Sequence, residues 1–208
     1  MSFTLNNYDL QLTIDFSEKT FTGKAEIHVG VTDPVKEVNL KISKNLDGES
    51  VSIWRAQHVY RGRADFIGVP ENFVFDKEND SIHVTFSHEV NAESTKEGAY
   101  IEVTYKGKFG EAGDIDGIHY VEGITYEAKL NTDNVITVFP ILEDISVPIK
   151  LSVLTPYRAG VETNIPAGEH HGVYNSDLFS NNFTTGEESF SISDLELRIN
   201  APTALILQ

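Results

Sequence analysis

Tyr8-Asp-Leu-Gln-Leu-Thr-Ile-Asp15 is the stretch whose reading decides the fold. Tyr8, Leu10, Leu12 and Ile14 alternate with Asp9, Gln11 and Thr13. That is the period of a half-buried strand, whose successive side chains leave on opposite faces. The rhythm returns in Ala25, Ile27, Val29 and Val31 set against Glu26, His28 and Gly30, and strand-like runs follow at 38–42, 51–54, 73–75, 82–86, 100–105, 149–154 and 195–199. Turn formers punctuate the chain at Asp33-Pro34, Asp47-Gly48, Lys77-Glu-Asn-Asp80, Lys106-Gly107 and Pro166-Ala-Gly168. No window carries a 3.6-residue period with helix caps. The pattern predicts an all-β chain, an antiparallel β-sandwich or open barrel, folded as one domain over residues 1–208.

Composition bounds the rest. A chain of 208 residues buries about 70% of its unfolded surface, so a full core is available without staples. There is no cysteine, which excludes disulfides, thiolate metal sites and a Cys nucleophile and fits a reducing compartment. The net charge of -16 repels phosphate backbones, so no nucleic-acid partner is expected. No apolar run approaches the ~20 residues that span a bilayer, and residues 2–9 lack the basic and apolar regions of a secretory signal. The expectation is a cytoplasmic protein with no membrane partner. The glycosylation patterns at Asn79-Asp-Ser81 and Asn182-Phe-Thr184 then read as chance matches.

Several segments, in order, resemble the N-terminal β domain of M1-family zinc aminopeptidases. Tyr8 to Asp15 followed by Thr20-Phe-Thr-Gly23 is similar to that domain's edge strand, short turn and Phe-x-Gly entry into a second strand. Val38-Asn-Leu40 and Val51-Ser-Ile-Trp54 resemble later strands, and Tyr105-Lys-Gly107 the Tyr-x-Gly before a loop. Gly117-Ile-His-Tyr120, Phe139-Pro140 and Asn164-Ile-Pro166 fall where that family has a Gly-hydrophobic-Tyr turn, a Phe-Pro and a Ser-Asn-x-Pro. The resemblance covers nearly the whole chain and implies an open, saddle-like β domain. The chain ends about where that family's catalytic domain begins.

The family's reaction needs a His-Glu-x-x-His helix, with two His on one face holding zinc and a Glu activating water. Here His88-Glu-Val-Asn-Ala92 lacks the second ligand, and the sole methionine, Met1, excludes the family's Gly-Ala-Met-Glu-Asn segment. The resemblance also implies a polar segment that borders the active site, in which a Gln and a Glu help to hold the peptide's amino end. Counting back from Phe139-Pro140, Lys129 falls at that Gln and Asn131 at that Glu, while Asn134-Val-Ile136 replaces Asp-Ala-Arg. A cation at an amine-binding position is unfavourable, and Ile136 cannot imitate a guanidinium fork.

The remaining constellations read as structure. Glu169-His-His171 near Asp194 or Glu196 is a solvated loop, because adjacent strand residues point to opposite faces. Asp114-Ile-Asp-Gly117 is an acidic turn without the spacing of a calcium loop. Ser191 and Ser193 lack a base. Trp54, Arg55, Tyr60, Arg61 and Arg63 form the most basic and aromatic stretch of an acidic chain, a candidate partner-binding patch. No metal, no cofactor and no catalytic residue is expected. The leading expectation is a non-catalytic module that binds a protein or peptide, possibly as a homodimer. The alternative is a dissected or separately encoded accessory domain of an active M1 zinc aminopeptidase. A lipocalin-type ligand barrel fits the composition but leaves the ordered motifs unexplained.

Overall fold

A computed structural model describes residues 3–55, 65–68, 70–92, 98–168, 172–175 and 177–202. The described residues form strands and two 3₁₀ turns, with no α-helix among them. The hairpin of β1 (Phe3–Asp15) and β2 (Thr20–Val31) begins the fold. Its turn is held by Asp15, whose Oδ1 accepts from the backbone nitrogens of Ser17 and Glu18 at 3.0 and 3.1 Å. The alternation read from residues 8–15 is present, with Tyr8, Leu10, Leu12 and Ile14 buried. Ahead of it, Phe3 and Leu5 are buried in the opposite phase. The register shifts between Leu5 and Asn7, and this bulge keeps both apolar sets on the core side.

The hairpin lies inside an eight-stranded sheet. On one side of β2 come β8 (Ala99–Lys108), β4 (Asp47–Arg55) and β5 (Asp65–Gly68). On the other side of β1 come β11 (Ile149–Pro156), β14 (Leu178–Thr184) and β13 (Gly172–Val173). Neighbouring strands are antiparallel except β1 and β11, which pair in parallel from Tyr8↔Ile149 to Thr13↔Leu154. A three-stranded sheet orders β3 (Val35–Lys41), β7 (Ser81–Val90) and β6 (Pro70–Asp76). A four-stranded sheet orders β12 (Gly160–Thr163), β15 (Glu196–Asn200), β10 (Thr125–Lys129) and β9 (His119–Glu122). The apolar rows of all three sheets join in one cluster. This is the open all-β architecture expected from the sequence.

Two of the expected turns are strand. Asp47-Gly48 opens β4, and Lys106-Gly107 lies near the end of β8. The glycines are there for close packing. Gly23 on β2 faces Tyr105 on β8, and Phe21 on β2 faces Gly107 on β8. A Cβ on Gly23 would overlap the Tyr105 ring, and one on Gly107 would overlap Phe21. The Phe-x-Gly and Tyr-x-Gly segments are thus two halves of one clasp, in which each strand's aromatic ring covers the other's glycine. The two rings meet edge to face with centroids 6.5 Å apart. Gly48, on the other side of Tyr105, is covered by Phe75 from the three-stranded sheet.

Urea unfolding tests the clasp. Gly23→Ala and Gly107→Ala should each cost on the order of 2–3 kcal/mol through overpacking. The Tyr105 hydroxyl is buried without a hydrogen-bond partner, so Tyr105→Phe should leave stability unchanged or raise it by about 1 kcal/mol.

Candidate functional site

The four-stranded sheet positions the segment that the resemblance marks as functional. Along β10, Tyr126 and Ala128 face inward opposite the buried Ile199 and Leu197. Glu127 and Lys129 therefore face outward, opposite Arg198 and Glu196. On the far side of β15, Glu162 stands opposite Arg198. Arg198 Nε pairs with Glu127 Oε1 at 3.3 Å. Lys129 is exposed and makes no ion pair within 4.0 Å among the described residues. A shallow depression of about 330 Å³ gathers Glu127, Lys129, Glu162, Glu196 and Arg198. Three carboxylates and two cations give it a net charge of -1 with all five groups ionised.

Beyond β10 the chain turns, and the side chains that could face a ligand are spent on the turn itself. Asn131 Oδ1 accepts from the backbone nitrogens of Asp133 and Asn134 at 2.8 and 3.1 Å. Asn134 is 5% exposed. Its Oδ1 accepts from the Asn131 nitrogen at 2.7 Å, and its Nδ2 donates to the Ile115 and Lys129 carbonyls at 3.1 Å each. Ile136 packs half-buried against the core where the family's arginine would stand. Thr137 Oγ1 donates to the Asn134 carbonyl at 2.6 Å and accepts from the Gly117 nitrogen at 2.8 Å.

The apolar frame that follows is anchored firmly. Val138 and Phe139 are fully buried. Ile141 bridges Lys41 of β3 through reciprocal backbone hydrogen bonds of 2.8 and 2.9 Å. Tyr8 reaches this segment from β1. Its hydroxyl donates to the Glu143 carbonyl at 2.8 Å and accepts from the Leu142 nitrogen at 3.2 Å. Burial pushes the Tyr8 phenol far above its ordinary range, outweighing those two backbone groups. Asn164 ties the neighbouring edge, with Nδ2 donating to the Asp194 carbonyl at 2.8 Å and Oδ1 accepting from the Glu196 nitrogen at 2.9 Å.

Other sequence candidates fall elsewhere. His88 and Glu89 lie on β7, and Ala92 lies just past its end. A strand turns His88 and Glu89 to opposite faces, so these residues do not fit the zinc site of an M1 catalytic domain. Trp54 and Arg55 end β4, their backbones paired with Tyr100 and Ala99. Tyr60, Arg61, Arg63 and the Glu169-His-His171 stretch lie outside the described residues. Glu127, Glu162, Glu196 and Arg198, which surround Lys129, escape sequence reading because only the β12-β15-β10 order brings them together.

An eight-stranded sheet and two smaller sheets that share one apolar core, with a buried Phe-Pro segment behind a polar turn, define a single multi-sheet class of all-β domain. The chain belongs to the family described as the Peptidase M1 N-terminal domain, whose match covers residues 4–138. Among solved structures it is similar to a point mutant of a two-domain M1 zinc metallopeptidase crystallised with L-arginine. That likeness has 16% identity and a TM-score of 0.69, and it covers 97% of this chain and 44% of the other. At this identity it shows the fold. The chain thus spans less than half the length of that metallopeptidase. No curated protein matches the sequence.

The turn and the outward lysine respond differently to substitution. Asn134→Ala should cost about 1–3 kcal/mol, because it removes the three hydrogen bonds that this buried side chain makes to the Lys129, Ile115 and Asn131 backbones. Lys129→Gln should stay within about 0.5 kcal/mol of the parent chain. Thermal unfolding of both variants measures the contrast.

Proposed function

We propose that this chain is a non-catalytic module that binds a protein or peptide and contributes no peptidase chemistry of its own. The observation that carries this reading is the state of the two amine-anchoring positions. Lys129 presents an ammonium to solvent where the resemblance implies a Gln. Asn131, at the position of the Glu, spends its side-chain oxygen on its own turn. At these two positions a peptide's amino end would meet a cation and a side-chain oxygen already engaged in its own turn, so anchoring through them is unfavourable.

The outward face of the four-stranded sheet is the contact surface this reading favours. Its Glu162-Arg198-Glu127 row and its Lys129-Glu196 pair offer charges of both signs to a complementary partner. Among the described residues the edge strand β12 is open to strand addition, whereas Gly110 already bridges the outer edge of β9. A homodimer is one form such a complex takes, and the Trp54 to Arg63 stretch of the sequence is a second candidate for the partner contact. The net charge of -16 supports a partner other than nucleic acid, in a cytoplasmic setting. No helix among the described residues is long and apolar enough to cross a membrane.

A second reading is favoured by one comparison. The similar two-domain metallopeptidase is about twice this chain's span, so the chain could serve as the accessory domain of an active M1 zinc aminopeptidase. Affinity capture of the tagged chain from its native lysate, with light scattering on the pure protein, separates the two. The module reading expects a discrete soluble species and a stoichiometric partner without a His-Glu-x-x-His sequence, binding again when both are purified. Capture of a zinc peptidase chain whose hydrolysis depends on adding this chain would overturn it.

A further inference from the structure

On the polar face of the eight-stranded sheet, Asp9 of β1 stands directly opposite Glu26 of β2, and His28 lies two residues along β2, opposite Asn7. One ligand atom from each of Asp9, Glu26 and His28 lies within 4.8 Å of the others. His28 Nε2 is 3.6 Å from Asp9 Oδ2 and 3.8 Å from Glu26 Oε2. Both separations exceed a hydrogen bond, and this buried nitrogen has no hydrogen-bond partner. An imidazole nitrogen withdrawn from water thus faces two carboxylate oxygens at ion-pair distance, and a bound cation would bridge all three in place of a proton on that nitrogen.

The neighbours hold the carboxylates in place. Asn7 donates to Asp9 Oδ1 at 3.0 Å. Lys24 Nζ lies 2.6 Å from Glu26 Oε1 and 3.1 Å from Glu102 Oε2. Lys150 Nζ reaches Asp9 Oδ2 at 3.3 Å from the rim. Glu26 Oε2 is thereby left facing His28, while Asp9 Oδ2 faces both His28 and the solvent-exposed Lys150. Burial raises the Asp9 carboxyl, but His28 and Lys150 outweigh it and hold the group below its usual range. Asp9, Glu26 and Glu102 also occupy one cross-strand row, an arrangement of like charges that is destabilising.

We propose that Asp9, Glu26 and His28 bind a divalent transition-metal ion of the zinc type, with water completing its coordination. One imidazole nitrogen and two carboxylate oxygens suit zinc, whereas magnesium and calcium prefer oxygen ligands throughout. Zinc bonds of about 2.0–2.1 Å in a tetrahedron place ligand atoms about 3.3 Å apart. The two distances from His28 Nε2 need only shorten by a few tenths of an ångström. A depression of about 210 Å³ borders the two carboxylate ligands, Asp9 and Glu26, together with Lys24 and Lys150. Lys24 and Lys150 oppose a cation by charge while orienting its carboxylate ligands. The site is independent of the proposed partner binding.

The test is calorimetric titration of zinc chloride into the chelator-treated chain, followed by cobalt(II) absorption as a second readout. One equivalent should bind per chain. His28→Gln and Glu26→Gln should each weaken binding about tenfold or more while the far-ultraviolet circular dichroism stays that of the parent. Replacing His170 and His171 together by Gln should leave binding unchanged. In the parent chain, the His28 Nε2 resonance in a nitrogen-15 spectrum should move and reach its limit at one equivalent, which checks the assignment without any substitution. The proposal is overturned by an absence of saturable binding, by affinity that survives His28→Gln, by affinity lost with His170 and His171, or by a His28 resonance that does not move.

Discussion

The reciprocal clasp between β2 and β8 is the constraint on which the large sheet depends. Phe21 over Gly107 and Tyr105 over Gly23 lock the two strands in a single register, because a slip of two residues would set Phe21 against Tyr105 in one direction and Gly23 against Gly107 in the other. That register is transmitted outward. Through β2 it fixes β1, and through β1 it fixes the parallel partner β11. Through β8 it fixes β4, whose Gly48 receives Phe75 and so draws the three-stranded sheet onto the large one. Gly23 and Gly107 act here through the absence of a side chain, not through backbone freedom, since each leaves the space that its partner's ring fills.

The strands were legible wherever one face meets core and the other meets water. Residues 8–15 and 25–31 alternate plainly because their outward residues are Asp, Gln, Thr, Glu, His and Gly. The strands that escape the pattern do so for physical reasons. β9 and β12 are four residues long, too short for a period to register. β14 runs Leu-Phe-Ser-Asn-Asn-Phe-Thr and is half-buried along most of its length, so polarity does not report its inward face. The parallel pairing of β1 with β11 joins residues about 140 positions apart, and nothing local encodes it. Asp47-Gly48 and Lys106-Gly107 look like turns because glycine usually is one there, and only the covering rings reveal the other use.

The site was legible in part. Counting back from Phe139-Pro140 reaches Lys129 and Asn131, and the apolar segment from which the count starts is deeply buried. The destination of the Asn131 and Asn134 side chains was not legible, since a turn that consumes its own amides has the same composition as one that offers them to a ligand. The acidic residues around Lys129 come from three strands, and the cluster of Asp9, Glu26 and His28 from two. In both cases cross-strand neighbours create the chemistry, and a sequence read along one strand cannot see them.

The chain therefore has the framework of its family, and its four-stranded sheet presents charges of both signs to solvent. The central claim is that the Lys129 to Asn134 turn no longer accepts a free amino terminus. Backbone amide spectra of the nitrogen-15-labelled chain, titrated with a short peptide amide and with its N-acetylated counterpart, test this most directly. The account predicts no saturable shift of the Lys129 to Asn134 resonances that requires the free amine. A saturable shift confined to those residues, present with the free amine and lost on acetylation, would contradict it.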